Sequence, residues 1–244
     1  MNAMFAIYLR ELLILRKRLF RQLASMSVSP LLYLVAFGFG MGRDLKVGSR
    51  PYLEFLVPGL VAMNSMIQAF AIGSEINIAR FYWHIFEEFQ AAPISSISYV
   101  TGEVLAGITR GLFSVVLIVL IAALSGVTLS YNLYFWVAVV LNSFLFASLA
   151  VGLAMLVKSH SDQALLSNFF ITPMAFLGGT FFPVTKMPVW VQHILFFLPL
   201  THASKAIRAA AFGEAPRLSS FLLLALLGTA LFIFAFLSVR QSLE

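Results

Sequence analysis

Residues 133–157 run without a single charged side chain, and no other feature narrows the possible folds as much. The hydrocarbon core of a bilayer is ~30 Å thick and takes about 20 helical residues to cross. Five further stretches reach that length. Residues 23–41, 164–182 and 218–237 are also uncharged, 55–78 hold only Glu75, and 99–124 hold only Glu103 and Arg110. The expected fold is an all-α integral membrane protein with six transmembrane helices. Composition agrees: 61% of residues are hydrophobic and 11% are charged, against ~25% charged in ordinary soluble domains. A soluble chain this apolar would lack the polar surface to cover its core.

Residues 4–22 precede the first span and read differently. At ~100° per residue, Phe5, Tyr8, Leu9, Leu12, Leu15 and Leu19 form one stripe, continued by Leu23. Arg10, Lys17, Arg18 and Arg21 lie on the other side. A basic amphipathic helix of this kind lies in the membrane surface. A shorter apolar stretch, 189–198, is bracketed by Pro188 and Pro199 and is too short to cross, so 183–217 are expected to form short re-entrant helices.

Six spans place both termini on one side. The basic residues divide almost evenly between the two sides. The group flanking the first span, Arg10, Arg16, Lys17, Arg18 and Arg21, therefore sets the orientation and puts both termini in the cytoplasm. The net charge of +6 is spread between spans rather than gathered in one patch, which fits contact with anionic lipid and not with nucleic acid. The chain holds no cysteine.

Enzyme signatures are missing. No G-x-x-x-x-G-K-[ST] loop, H-E-x-x-H pair or G-x-S-x-G elbow occurs, and His84, His160, His193 and His202 are scattered. Catalytic residues, a metal site and a cofactor within the chain are not expected. The polar groups inside the spans are few. Asn64, Gln68 and Glu75 share a face of the second span, and Glu103 and Arg110 share a face of the third, where Gly107 and Gly111 permit close helix approach. Arg110 lies roughly 16 Å along its helix and needs a partner, either Glu75 or Glu103. The set reads either as a polar stripe of a transport pathway or as an ion pair that locks two spans together.

Loop 80–93 carries far more aromatic area than a solvated loop needs. Arg80, Phe81, Trp83, Phe86, Glu87, Glu88, Phe89 and Pro93 suggest a short helix that docks on another protein.

The order of these parts resembles ABC-2 type transporter permeases, the membrane half of ATP-driven exporters. The resemblance covers nearly the whole chain. It begins with the basic N-terminal helix and Leu32-Tyr-Leu-Val-Ala-Phe-Gly-Phe-Gly40. It continues through Tyr52-Leu-Glu-Phe-Leu-Val-Pro-Gly59 and Ala91-Ala-Pro-Ile-Ser95. It ends with Gly178-Gly-Thr-Phe-Phe-Pro183, Met187-Pro188, Leu198-Pro-Leu-Thr201 and Ala206-Ile-Arg208. The first half is similar above all to permeases of nodulation-factor and polysaccharide exporters, and multidrug members look alike.

The resemblance implies a bacterial inner-membrane subunit that works as a homodimer beside two copies of an ATP-binding subunit, which holds the ATP and Mg²⁺. It also implies that loop 80–93 is the coupling helix, assisted by the N-terminal helix and loop 158–163. Phe182, Pro183, Pro188 and Pro199 would shape an outer gate, and spans one and five would line the subunit boundary. The substrate would be amphipathic: a lipid-linked glycan, a lipo-oligosaccharide or a drug-like molecule. The alternatives are an ion- or proton-coupled secondary transporter and a non-transporting assembly subunit. Around Glu87 and Glu88 the chain departs from the Gly-Thr-containing loop usual in the family.

Overall fold

The computed structural model describes every residue except 1, 2, 43, 84, 87, 89–91, 93 and 244. Helix α1 (Ala3–Lys17) ends where Arg18 leaves helical geometry, and α2 (Leu19–Tyr33) starts at once. The first helix is therefore shorter than the expected 4–22, and the helix that carries the first expected span begins at Leu19 instead of Leu23. Beyond Tyr33 the helix widens into a π-helix, Leu34–Met41. The widening follows Pro30, which has no N–H to return to the preceding turn, and runs through Gly38 and Gly40.

A two-strand hairpin, β1 (Lys46–Val47) and β2 (Arg50–Pro51), turns through Gly48 at φ +64° and leads directly into α3 (Tyr52–Phe70). Ala71 alone separates α3 from α4 (Ile72–Phe81), and its N–H still reaches the Ile67 carbonyl at 3.0 Å. The two helices therefore act as one long span. Ser95 caps α5 (Ser96–Leu124), and Asn132 caps α6 (Leu133–Leu156) with a 3.0 Å bond from the Phe135 N–H.

Ser159 caps α7 (His160–Leu166), which passes through a π-turn at Ser167–Ile171 into α8 (Thr172–Leu177). Pro173 in α8 cannot donate to the turn before it, and the wide turn absorbs that loss. A 3₁₀ turn (Val184–Lys186), α9 (Val189–Phe196) and α10 (Pro199–Ala211) then lead into the last helix, α11 (Leu218–Leu243).

Among the described residues, five helical stretches are long and apolar enough to cross a membrane: Leu19–Met41, Tyr52–Phe81, Ser96–Leu124, Leu133–Leu156 and Leu218–Ser242. The expected span at 164–182 differs. It starts earlier, at His160, and its helix ends at Leu177 after three segments, so 178–182 form a turn. At 1.5 Å per residue, 160–177 rise ~27 Å.

The packing centre is α3, which meets α5, α6 and α10, while α11 lies along α6 and α1 covers α5. Small residues make this possible. A Cβ on Gly107 would stand 2.7 Å from that of Ala147, and one on Gly111 would collide with Ser143. The expected close approach at Gly107 and Gly111 is thus present. Asn142 adds hydrogen bonds from α6 to the Ala62 carbonyl (3.0 Å) and the Ser65 hydroxyl (2.8 Å) of α3.

Candidate functional site

Arg80 closes the last turn of α4. Its guanidinium donates to the Ala154 carbonyl near the end of α6 and lies 5.2 Å from the Phe81 ring centre and 5.3 Å from that of Phe86. Phe86 in turn meets Tyr99 of α5 edge-on, at 5.8 Å and 81°. One arginine and one ring therefore join the ends of three spans. The ring of Phe86 is buried and does not form part of the exposed docking surface expected of it, because Arg80 and Tyr99 already enclose it. Among the described residues of this loop, the exposed aromatics are Tyr82 and Trp83, with Glu88 also exposed. The Tyr82 ring lies 6.3 Å from His160, so the start of α7 stands beside this loop. Glu87, Phe89, Pro93 and His84 lie outside the described residues.

Behind this end lies a buried charged cluster. Arg110 pairs with Glu75 at 3.3 Å, which decides between the two partners open to it. Glu103 is buried within the same field of charges, close to Glu11, Arg10, Arg110 and Glu75. Asn64 is buried on the face of α3 that leads towards this pair, and Gln68 is half-buried. Glu11, not singled out in the sequence, is buried too and pairs with Arg10 at 2.9 Å.

The face that α1 presents to the protein is Ile7, Glu11 and Leu15. That face is turned roughly 90° from the apolar stripe at ~100° per residue, and Phe5 of the stripe is exposed. Gly102 explains the contact, since a Cβ there would press on Ile7 at 2.9 Å. Burial raises the Glu11 carboxyl above its usual range, outweighing the attraction of Arg10 and Arg110.

A second amide link was also missed: Asn77 of α4 donates to Gln163 of α7 at 3.2 Å, both buried. Its signal was available, as was that of Asn142, because a lone amide within an apolar run has to find a partner.

At the opposite end, Arg208 of α10 holds the segment after α8. It donates to the Gly179 carbonyl (2.8 Å) and the Phe55 carbonyl (3.3 Å), and its guanidinium sits 3.8 Å over the Phe55 ring. The Tyr52 hydroxyl donates to the Phe181 carbonyl at 2.9 Å, and Gly179 takes φ +83° to make the turn. Phe182 is exposed, and Pro183 precedes the 3₁₀ turn. Pro188 caps α9, and Pro199 starts α10. The four expected gate residues thus each mark a bend of the segment between α8 and α10.

A mainly helical chain with several long apolar helices, and with few buried charges among the described residues, is built as a multi-pass membrane protein. The ABC-2 type transporter family matches residues 2–212, and the chain belongs to it. The inner membrane transport permease YadH of Escherichia coli (strain K12) is 29% identical over 224 residues, which is 88% of this chain and 84% of that protein. Nodulation protein J of Sinorhizobium fredii is 29% identical over 208 residues, 84% of this chain and 79% of its own length. Nodulation protein J of Rhizobium meliloti is 29% identical over 212 residues, with 86% and 81% covered.

Proposed function

We propose that this chain is the membrane subunit of an ATP-driven exporter and moves an amphipathic substrate outward, a lipid-linked glycan, a lipo-oligosaccharide or a drug-like molecule. A separate ATP-binding subunit, which carries ATP and Mg²⁺, docks on residues 80–93, with Tyr82 and Trp83 as the apolar contacts and loop 158–163 beside them. The observation that carries this reading is the Arg80 junction. Because Arg80 holds the Ala154 carbonyl and stacks beside Phe86, force applied at the loop reaches α4, α5 and α6 together.

In this reading both termini are cytoplasmic, and residues 160–177 make the fifth of six crossings. Two copies assemble with two ATPase subunits, and the boundary between the copies is lined by the first span and by 160–177. Those two helices keep many large apolar side chains exposed, among them Leu32, Val35, Phe169 and Phe170.

Purification of the tagged chain in mild detergent tests the class. A stoichiometric soluble partner that hydrolyses ATP is expected, and a chain that purifies alone with no nucleotide-dependent activity overturns the reading. The Tyr82→Ala/Trp83→Ala pair tests the docking surface. It should reduce ATPase stimulation while leaving membrane insertion intact, and unchanged stimulation would sink that assignment.

A further inference from the structure

A cavity of about 220 Å³ opens where the first span ends and the second begins. Its walls are Phe37 and Met41 from the π-helix, Tyr52 from the first turn of α3, and Phe181 from the segment after α8. Lys46 of the hairpin and Lys186 of the 3₁₀ turn complete it, and both side chains are exposed. A site flanked by the end of one span and the start of the next lies where hydrocarbon gives way to headgroups, whichever face of the membrane that is.

The two lysines have no carboxylate within ion-pair distance among the described residues, and the nearby Glu54 is taken by Arg50 at 3.3 Å. The walls are preformed. The Phe181 ring is buried 5.0 Å from Phe37 and 5.1 Å from Tyr33, and the Tyr52 hydroxyl and Arg208 hold its backbone segment. The site therefore lines one cavity with two lysines and with rings whose one hydroxyl, on Tyr52, is already committed. A neutral sugar would find few hydrogen-bond partners there, and a free anion would leave the rings unused. The cavity is also smaller than the ~300–1,000 Å³ common for whole drug-sized ligands.

We propose that this pocket binds an anionic phospholipid. Its phosphate lies between Lys46 and Lys186, and the first part of an acyl chain lies against Phe37, Tyr52 and Phe181. The bound lipid ties the end of the first span to the segment after α8. This site does not depend on the exporter reading, since it needs neither ATP nor a partner.

The test is equilibrium binding to the purified full chain in neutral detergent, with phosphatidylglycerol, phosphatidylcholine of the same chains, and inorganic phosphate as probes. Phosphatidylglycerol should bind saturably and roughly thirtyfold more tightly than phosphatidylcholine, the difference contributed by two lysines at the headgroup level. Lys46→Gln/Lys186→Gln should remove that preference without moving the melting temperature, because both side chains are exposed. Val47→Trp, which fills the cavity, should weaken both lipids. Equal binding of the two lipids by the wild-type chain overturns the proposal, as does a preference that survives in the double variant. Inorganic phosphate competing as well as the lipid does would reduce the site to a simple anion site. A double variant that alters self-association yet keeps the lipid preference would assign the pocket to a second copy.

Discussion

The first and second spans are neighbours in sequence and opposites in packing. In the most apolar stretch of the second, 83% of residues are buried, against 22% in the first. Apolarity does not separate them, since exposed Leu32 and buried Leu60 are the same residue type. What separates them is the supply of small and amide side chains facing the neighbours. The second span meets Gly107, Gly111 and Asn142, whereas the first offers Leu32, Val35 and Phe39 to its surroundings. Lipid tails are as apolar as leucine, so helices associate through close packing and hydrogen bonds rather than through apolarity itself. Residues 160–177 behave like the first span. Both carry a π-turn, both have a proline near it, and both leave large rings exposed. The second span is thus the locked centre of the molecule, and the first span and residues 160–177 are among the helices that leave most of their apolar surface free.

The contrast can be broken most directly at the charged cluster. Arg110→Ala leaves Glu75 without its partner beside buried Glu103 and Glu11, and should cost ~3–5 kcal/mol. The expected result is loss of folded protein or a much lower melting temperature in detergent, and a variant as stable as the wild type would refute the lock. Next is a matched pair. Leu60→Ala in the second span should cost about 2 kcal/mol, and Leu32→Ala in the first span less than about 0.5 kcal/mol, both read from thermal melts. Equal costs would erase the distinction between the two regions.

Pro173→Ala sharpens the comparison by separating stability from function. Restoring an N–H lets the wide turn close into an ordinary helix, so the melting temperature should hold or rise slightly while the transport assigned in the proposed reading falls. A loss of stability as large as that of Leu60→Ala would instead make the π-turn part of the locked centre. The smallest effect belongs to Glu11. Its carboxyl is raised by burial above the ordinary 4.5, so the folded chain holds that proton more tightly than the unfolded one. That contribution is full below about pH 4.5 and is lost as pH rises through the higher folded value. Glu11→Gln cannot lose it, and its melting temperature should fall less than that of the wild type between pH 4.5 and neutrality. Identical pH profiles would show that Glu11 does not titrate in this range.

Much of the architecture was legible in the chain. Leu133–Leu156 and Leu218–Leu243 are visible as apolar runs because transfer from water to hydrocarbon is a local property of each segment. Arg110 was legible as a buried charge for the same reason, and its partner was narrowed to two carboxylates by reach alone. Phe86 was misplaced, because an aromatic that meets a partner protein and one that folds back on Tyr99 have the same composition. Glu11 was missed because it stands off the apolar stripe, and only contact with α5 reveals that a different face of α1 is buried.

The sequence by itself therefore determined that this protein crosses a membrane many times, where most crossings lie, and which few groups need partners within the bilayer. Each of those follows from the cost of exposing one segment to one solvent. The tertiary structure alone decided which apolar faces meet protein and which remain free, that Arg110 belongs to Glu75, and that Arg80 and Arg208 pin the two ends of the second span. Those outcomes depend on shape. Leucine facing lipid and leucine facing leucine are nearly equal in free energy until a glycine on the neighbouring helix lets two backbones close.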